Sequence, residues 1–191
     1  MVDGRRARAE KDAMAARSFT PETERLLDEA AALCADRGQK LTEQRRRILG
    51  FILEHTRPTG AYDLLDRLRA EGKPAAPPTV YRALDFLTAQ GLVHRIERLS
   101  AFIGCAHLLE SGRHETVPHE HSHHRIESLQ FLICTRCRRA FEITDPGIRG
   151  AIEAASAASG FNPAGATVEI EGICAECAAA TAEIPGQPAL S

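Results

Sequence analysis

The sequence contains no apolar run approaching the roughly 20 residues that a helix needs to cross a bilayer, so a membrane-spanning helix is excluded. It also lacks the hydrophobic segment of a secretory signal: the opening MVDGRRARAEKDAMAARSF has Arg5, Arg6 and Arg8 with no apolar stretch behind them. A cytoplasmic location is therefore expected, where thiols stay reduced. A strong charge of one sign is missing too, with 24 Lys and Arg against 26 Asp and Glu. Total charge thus singles out no class of partner.

The distribution of charge is less even. Residues 1–98 carry 18 basic against 15 acidic side chains, a net +3, and residues 99–191 carry 6 against 11, a net −5. Such asymmetry suggests two parts with different partners. A basic first half is compatible with nucleic acid, and equally with an ordinary solvated surface. With 191 residues and 43% hydrophobic content, the chain can bury one sizeable core or two small ones.

Periodicity divides the chain in the same way. Residues 1–19 are polar and aperiodic and read as a mobile arm. Thr20 and Pro21 then form a cap and first-turn proline, Glu22 and Glu24 suit the positive end of a helix, and Leu26, Leu27, Ala30, Leu33 and Cys34 recur at helical spacing up to Gly38. Cys34 on this apolar face reads as a core residue. A second helix runs from Thr42 to about His55, and a third, AYDLLDRLRAEG, buries Leu64, Leu65 and Leu68. KPAAPP reads as a break, after which TVYRALDFLTAQGL presents Val80, Ala83, Leu84 and Leu87 on one face. Past Gly91 the pattern turns extended: VHRIE and AFIGC read as one hairpin, and SLQFLIC and RAFEI as a second pair. Asp145 and Pro146 open a helix ending at Gly160, and ATVEIEGI is a further strand. The class is α+β, with four short helices followed by a mixed half.

Six cysteines are present, and four of them form two C-x-x-C pairs, Cys134 with Cys137 and Cys174 with Cys177. Each pair can put two thiolates on one side of a zinc ion about 2.3 Å away, and two pairs close a tetrahedral shell. Disulfides are the alternative, disfavoured in a reducing compartment. A thioredoxin-like redox role is disfavoured because neither pair is expected to open a long helix behind a parallel strand. A shell closed by four thiolates has no open position for substrate, so it supports folding rather than catalysis, with about 10–16 kcal/mol of binding energy available to a small module.

A second constellation remains. His94, Cys105, six histidines from His107 to His124, and Glu142 lie on either side of the hinge expected between the halves. Mixed nitrogen, sulfur and oxygen ligands also suit zinc. A satisfied surface histidine and a solvated, metal-scavenging loop account for the spacing as well.

Three stretches carry a resemblance: PPTVYRALDFLTAQGLVHRIE (Pro77–Glu97), FLICTRC (Phe131–Cys137) and GICAEC (Gly172–Cys177) resemble the ferric uptake regulator superfamily. The match covers about residues 20–180 and is most similar to the zinc uptake regulator branch, because SLQFLIC stands where iron and peroxide sensors carry a dense histidine run. The resemblance implies an N-terminal winged-helix DNA-binding domain at 20–98 and a metal-binding dimerisation domain at 99–184, with a His-rich loop at 106–124 and a tail at 185–191. It also implies a regulatory ion held by His94, Cys105, Glu142 and a fourth ligand. The family's place for that ligand, seven residues before Cys134, is Glu127 here. His124 is the residue expected to serve, with His123 or Glu127 as substitutes.

A winged helix places its last helix in the major groove. In TVYRALDFL, Tyr81 and Arg82 then face outward, Arg82 suited to bidentate contact with guanine and Tyr81 to a thymine methyl or a phosphate. Tyr62, Arg45, Arg46, Lys40 and Lys73 are the expected backbone contacts. Asp66 and Arg69 most simply bridge within their helix. The implied protein is a dimeric, zinc-responsive repressor of zinc uptake genes with two zinc ions per chain, one structural and one regulatory, and with no membrane or small organic partner. The alternatives are an iron or manganese sensor of the same superfamily, a zinc hydrolase, or a thiol redox protein. Hydrolase chemistry lacks its helical H-E-x-x-H, since His119–Glu120–His121 falls in a loop.

Overall fold

The first helix, α1 (Pro21–Asp36), begins where the Oγ1 of Thr20 accepts the N–H of Thr23 at 3.2 Å, with Pro21 in the first turn. The computed structural model describes residues 19–72, 75–105 and 127–182. The expected arm before Phe19, Lys73, the loop at 106–124 with His123 and His124, and the tail all lie outside the described residues. Two compact units, residues 1–114 and 115–191, are described separately below.

In the first unit, α1 is followed by α2 (Glu43–Leu53), the short strand β1 (Thr59–Gly60), α3 (Ala61–Ala70) and α4 (Pro77–Ala89). Their apolar stripes meet in one core: Leu27, Ala30 and Cys34 from α1, Ile48, Leu49 and Ile52 from α2, Leu64 and Leu68 from α3, and Val80, Leu84 and Leu87 from α4 are all buried. Polar ties reinforce the packing. Arg47 pairs with Glu71 beyond the end of α3 and lies over the Phe19 ring at 4.4 Å. Pro77 and Pro78, expected to end the chain break, are instead the first turn of α4. First-turn N–H groups have no partner within the helix, so proline loses nothing there.

Strands β2 (Val93–Ile96) and β3 (Ala101–Gly104) form an antiparallel hairpin, and β1 adds to β3 on its other side. The turn passes through a short 3-10 segment and Ser100, whose φ of +48° is left-handed. At Gly104 a Cβ would lie 2.6 Å from a methyl of Leu53, so any side chain there would push the Leu53 side chain aside. The boundary expected at residue 98 is corrected by this sheet. It would cut the hairpin in its turn, whereas the hydrogen bonds of β3 to β1 and β2 place it in the first unit. A helical core with α4 last and a three-stranded sheet is the winged helix that the sequence led one to expect.

The second unit is built on a sheet of order β5-β4-β6, from β4 (Glu127–Cys134), β5 (Ala140–Ile143) and β6 (Gly165–Gly172). β5 is antiparallel and β6 parallel to β4, and helix α5 (Pro146–Ala158) lies in the chain between β5 and β6. Asp145 caps α5 by accepting the N–H of Ile148 at 3.0 Å. The buried Gln130 amide holds that corner from both sides, donating to the Asp145 carbonyl at 3.1 Å and accepting its N–H at 3.0 Å. Alternation along β4 buries Phe131 and Ile133 and turns Leu132 the other way. Leu132 is paired with Phe141 on one side and Ile170 on the other, so three half-exposed apolar side chains form a row across the sheet. A last helix, α6 (Ala175–Ala182), follows β6.

Candidate metal centre and nucleic-acid interface

The parallel register ends with Cys134 opposite Gly172, which sets Cys174 just beyond the strand, beside the first knuckle. That knuckle is a tight turn. The Cys134 N–H donates to the Arg139 carbonyl, and the Arg138 N–H returns to the Cys134 carbonyl, each at 2.9 Å, with Arg138 left-handed at φ +62°. The Thr135 N–H reaches the Gly172 carbonyl at 2.8 Å, and Arg136 Nη1 the Cys177 carbonyl at 2.8 Å, which join the two knuckles. As a result the sulfurs of Cys134, Cys137, Cys174 and Cys177 lie within 4.8 Å of one another, and all four are free thiols.

Tetrahedral zinc fits this arrangement. Four sulfurs about 2.3 Å from a central ion are separated by about 3.8 Å. The Cys137 and Cys174 sulfurs are 3.8 Å apart. Backbone N–H donors of Cys137 and Cys174 push the Cys134 thiol down to about 6, and the Arg139 guanidinium beside Cys137 lowers that thiol as well. Burial pushes the Cys177 thiol up to about 12, with its neighbouring sulfurs adding to the effect. A divalent cation bound among the four sulfurs would supply the positive charge that favours their thiolate forms. As expected, neither pair opens a long helix: Cys174 and Cys177 stand at the start of a short one behind a parallel strand. That helix, α6, has eight residues, and the sulfurs gather into one cluster of four instead of two separate dithiols.

In the first unit, hairpin register explains a second meeting of ligands. His94 is opposite Ile103, and the Cys105 N–H donates to the Leu92 carbonyl at 3.1 Å, so His94 and Cys105 are diagonal neighbours on one face. Their ligand atoms lie within 4.8 Å, Cys105 is buried, and the His94 Nε2 atom is buried too. Glu142 is carried by β5 of the second unit, opposite Phe131. Glu127 is the first residue of β4, and its side chain lies outside the described residues.

Several of the groups expected to face DNA are exposed on the first unit. Tyr81 and Arg82 are exposed in the second turn of α4, and Tyr62 is exposed in the first turn of α3. Lys40 is exposed. Arg45 lies with its guanidinium 3.5 Å from the Phe86 ring centre and donates to the Lys40 carbonyl at 2.8 Å, so its plane is fixed against α4 while its edge stays partly open. Arg46, expected as a further backbone contact, is engaged within the protein instead. It bridges Glu24 at 2.6 Å and Asp28 at 2.8 Å, tying α2 to α1. Asp66 and Arg69 approach to 3.9 Å within α3, as i,i+3 spacing led one to expect.

Residues 36–171, most of the chain, match the ferric uptake regulator family as a whole. The chain belongs to the ferric uptake regulator family. The zinc uptake regulation protein of Escherichia coli (strain K12) is 36% identical over 155 residues, which span 81% of this chain and 82% of that protein. Among solved structures, a zinc uptake regulator complexed with zinc and DNA aligns with a TM-score of 0.71 and 34% identity, over 86% of this chain and 99% of the other. Holo XcZur aligns with a TM-score of 0.64 and 39% identity, over 80% and 96%. Within this ferric uptake regulator chain, sequence reasoning passed over Arg139 and Glu176, which surround the thiols. Neither carries a spacing signal, because they meet only when the two knuckles do.

Proposed function

We propose that this member of the family is a zinc-responsive transcriptional repressor, binding operator DNA as a homodimer when regulatory zinc is bound and so controlling zinc uptake genes. The observation that carries the reading is the diagonal placement of His94 beside Cys105 on the hairpin of the DNA-binding unit. An imidazole and a thiolate suit zinc, and the soft sulfur argues against the hard, oxygen-preferring manganese and weakens the case for iron. Glu142 is the third ligand and His124 the fourth, with His123 or Glu127 as substitutes, following the match to the zinc uptake regulators. The four-thiol cluster holds the second ion of each chain, and its closed shell suits a structural role and no catalysis. No helix among the described residues is long and apolar enough to cross a membrane, and the protein acts on DNA in the cytoplasm.

Arg82 is the base-reading residue, with Tyr81 beside it and Tyr62, Arg45, Lys40 and Lys73 on the backbone. Arg82→Ala should cost about 1–3 kcal/mol of operator affinity and relax base preference. Lys40→Ala should weaken operator and random duplex alike and flatten the salt dependence. Fluorescence anisotropy against both duplexes separates the two. Equal losses on operator and random duplex for Arg82→Ala would remove it from base reading.

The row Phe141, Leu132 and Ile170 is the surface proposed to join two copies, since an exposed apolar strip on a small sheet is a favourable place for isologous contact. Leu132→Asp should shift the protein from dimer to monomer in sedimentation and reduce operator affinity by more than about tenfold, with its helix signal and structural zinc unchanged. A Leu132→Asp protein as dimeric as its parent would place the interface elsewhere.

A further inference from the structure

Arg139 sits just before β5, and its planar guanidinium is used on both edges. Nε donates to the Cys137 sulfur at 3.4 Å and Nη2 to the Cys174 sulfur at 3.7 Å, so one side chain spans the two knuckles. Nη1 donates to Glu176 Oε1 at 3.1 Å, and Nη2 also meets the other carboxylate oxygen. The Phe141 ring lies beneath, its centre 5.5 Å away. The Arg139 side chain is 22% exposed while Glu176 is 75% exposed, so the carboxylate holds the cation from the solvent side.

We infer that Arg139, oriented by Glu176, is a positioning residue of the four-thiolate centre that balances its charge and shields the Cys137 and Cys174 sulfurs from electrophiles. The inference rests on zinc occupying that centre. A divalent ion with four thiolates is a dianion, and a guanidinium against two of its sulfurs offsets half of that charge. An N–H donor to a thiolate also withdraws electron density from the sulfur, and electron-rich sulfur is what electrophiles and protons attack. The fork geometry matters: two donors reach two sulfurs from different knuckles while others remain for Glu176, which a lysine ammonium could not reproduce.

The test is site-resolved alkylation of the zinc-loaded, full-length protein with iodoacetamide, read by peptide mass spectrometry. In each event the sulfur bonds the methylene carbon and iodide leaves. Arg139→Ala should raise the alkylation rates of Cys137 and Cys174 by about 10-fold or more, the scale on which outer-shell partners act on bound metal. Arg139→Lys should recover part of the protection, and Glu176→Gln should give a smaller rise. Cys34, buried in the first unit, reports opening of that unit, and Cys134, buried in the second and not held by the Arg139 side chain, reports opening of the second; neither rate should change. Rates at Cys137 and Cys174 within about twofold of the parent in both Arg139→Ala and Glu176→Gln would overturn the inference. Should Arg139→Ala fail to fold, the exposed Glu176→Gln decides alone. A parent whose four thiols react equally fast with and without added zinc would overturn the zinc reading of the cluster instead.

Discussion

Replacing Cys137 by serine is expected to unfold the second unit, with loss of the dimer and of all operator binding. Three thiolates and a hydroxyl cannot match the charge and softness of four thiolates, so the ion is lost. Structural zinc contributes about 10–16 kcal/mol in small modules, against about 5–15 kcal/mol for the net stability of a typical domain. The loss is therefore as large as the net stability of a whole domain. Few large side chains are fully buried there, Phe131 and Ile133 among them, and the buried thiol of Cys134 extends that small core into the metal centre. Metal analysis, circular dichroism and sedimentation of Cys137→Ser together check the outcome. A folded dimer that retains the zinc would contradict it.

His94→Ala should behave in the opposite way. Folding, dimerisation and the four-thiol zinc should be retained, the zinc count should fall by one per chain, and operator binding should lose its dependence on zinc. The physical reason is that zinc shifts the balance between DNA-competent and incompetent states only by its differential affinity for them. Carrying a two-state balance from 1:99 to 99:1 needs about 5.5 kcal/mol, and removing one ligand of the ion takes away most of such a difference. The contrast between the two substitutions separates a folding site from a sensing site in the same chain. Unchanged zinc stoichiometry in His94→Ala would remove His94 from the ligand set.

Local physics was readable in the sequence, and non-local pairing was not. The helices of the first unit announced themselves because Thr20 and Thr42 are caps and because Leu64, Leu68, Val80, Leu84 and Leu87 repeat at helical spacing. The four-thiol cluster was legible for the same reason, since two close spacings each imply half of a tetrahedron. Pro77 and Pro78 misled because the same residue breaks a helix interior and starts a helix well. β1 has two residues, too few to show alternation. That β3 closes the first sheet, and that β6 runs parallel to β4, depends on partners far apart in the chain, as does the meeting of Arg139 with Glu176, 37 residues later. At the regulatory site, the hairpin register placed His94 beside Cys105, which the sequence had grouped only by ligand type and by resemblance.

Thermodynamic linkage offers the most direct measurement. If zinc at the His94 and Cys105 site promotes operator binding, operator must tighten zinc at that site by the same factor. Two zinc titrations of the dimer, with the four-thiol ion already in place, would be compared, one with saturating operator duplex and one without. Zinc should bind more tightly with operator present, by the factor by which zinc raises operator affinity. Equal zinc affinities in the two titrations, in a protein whose operator binding still responds to zinc, would contradict a switch at His94 and Cys105 and place it at another site.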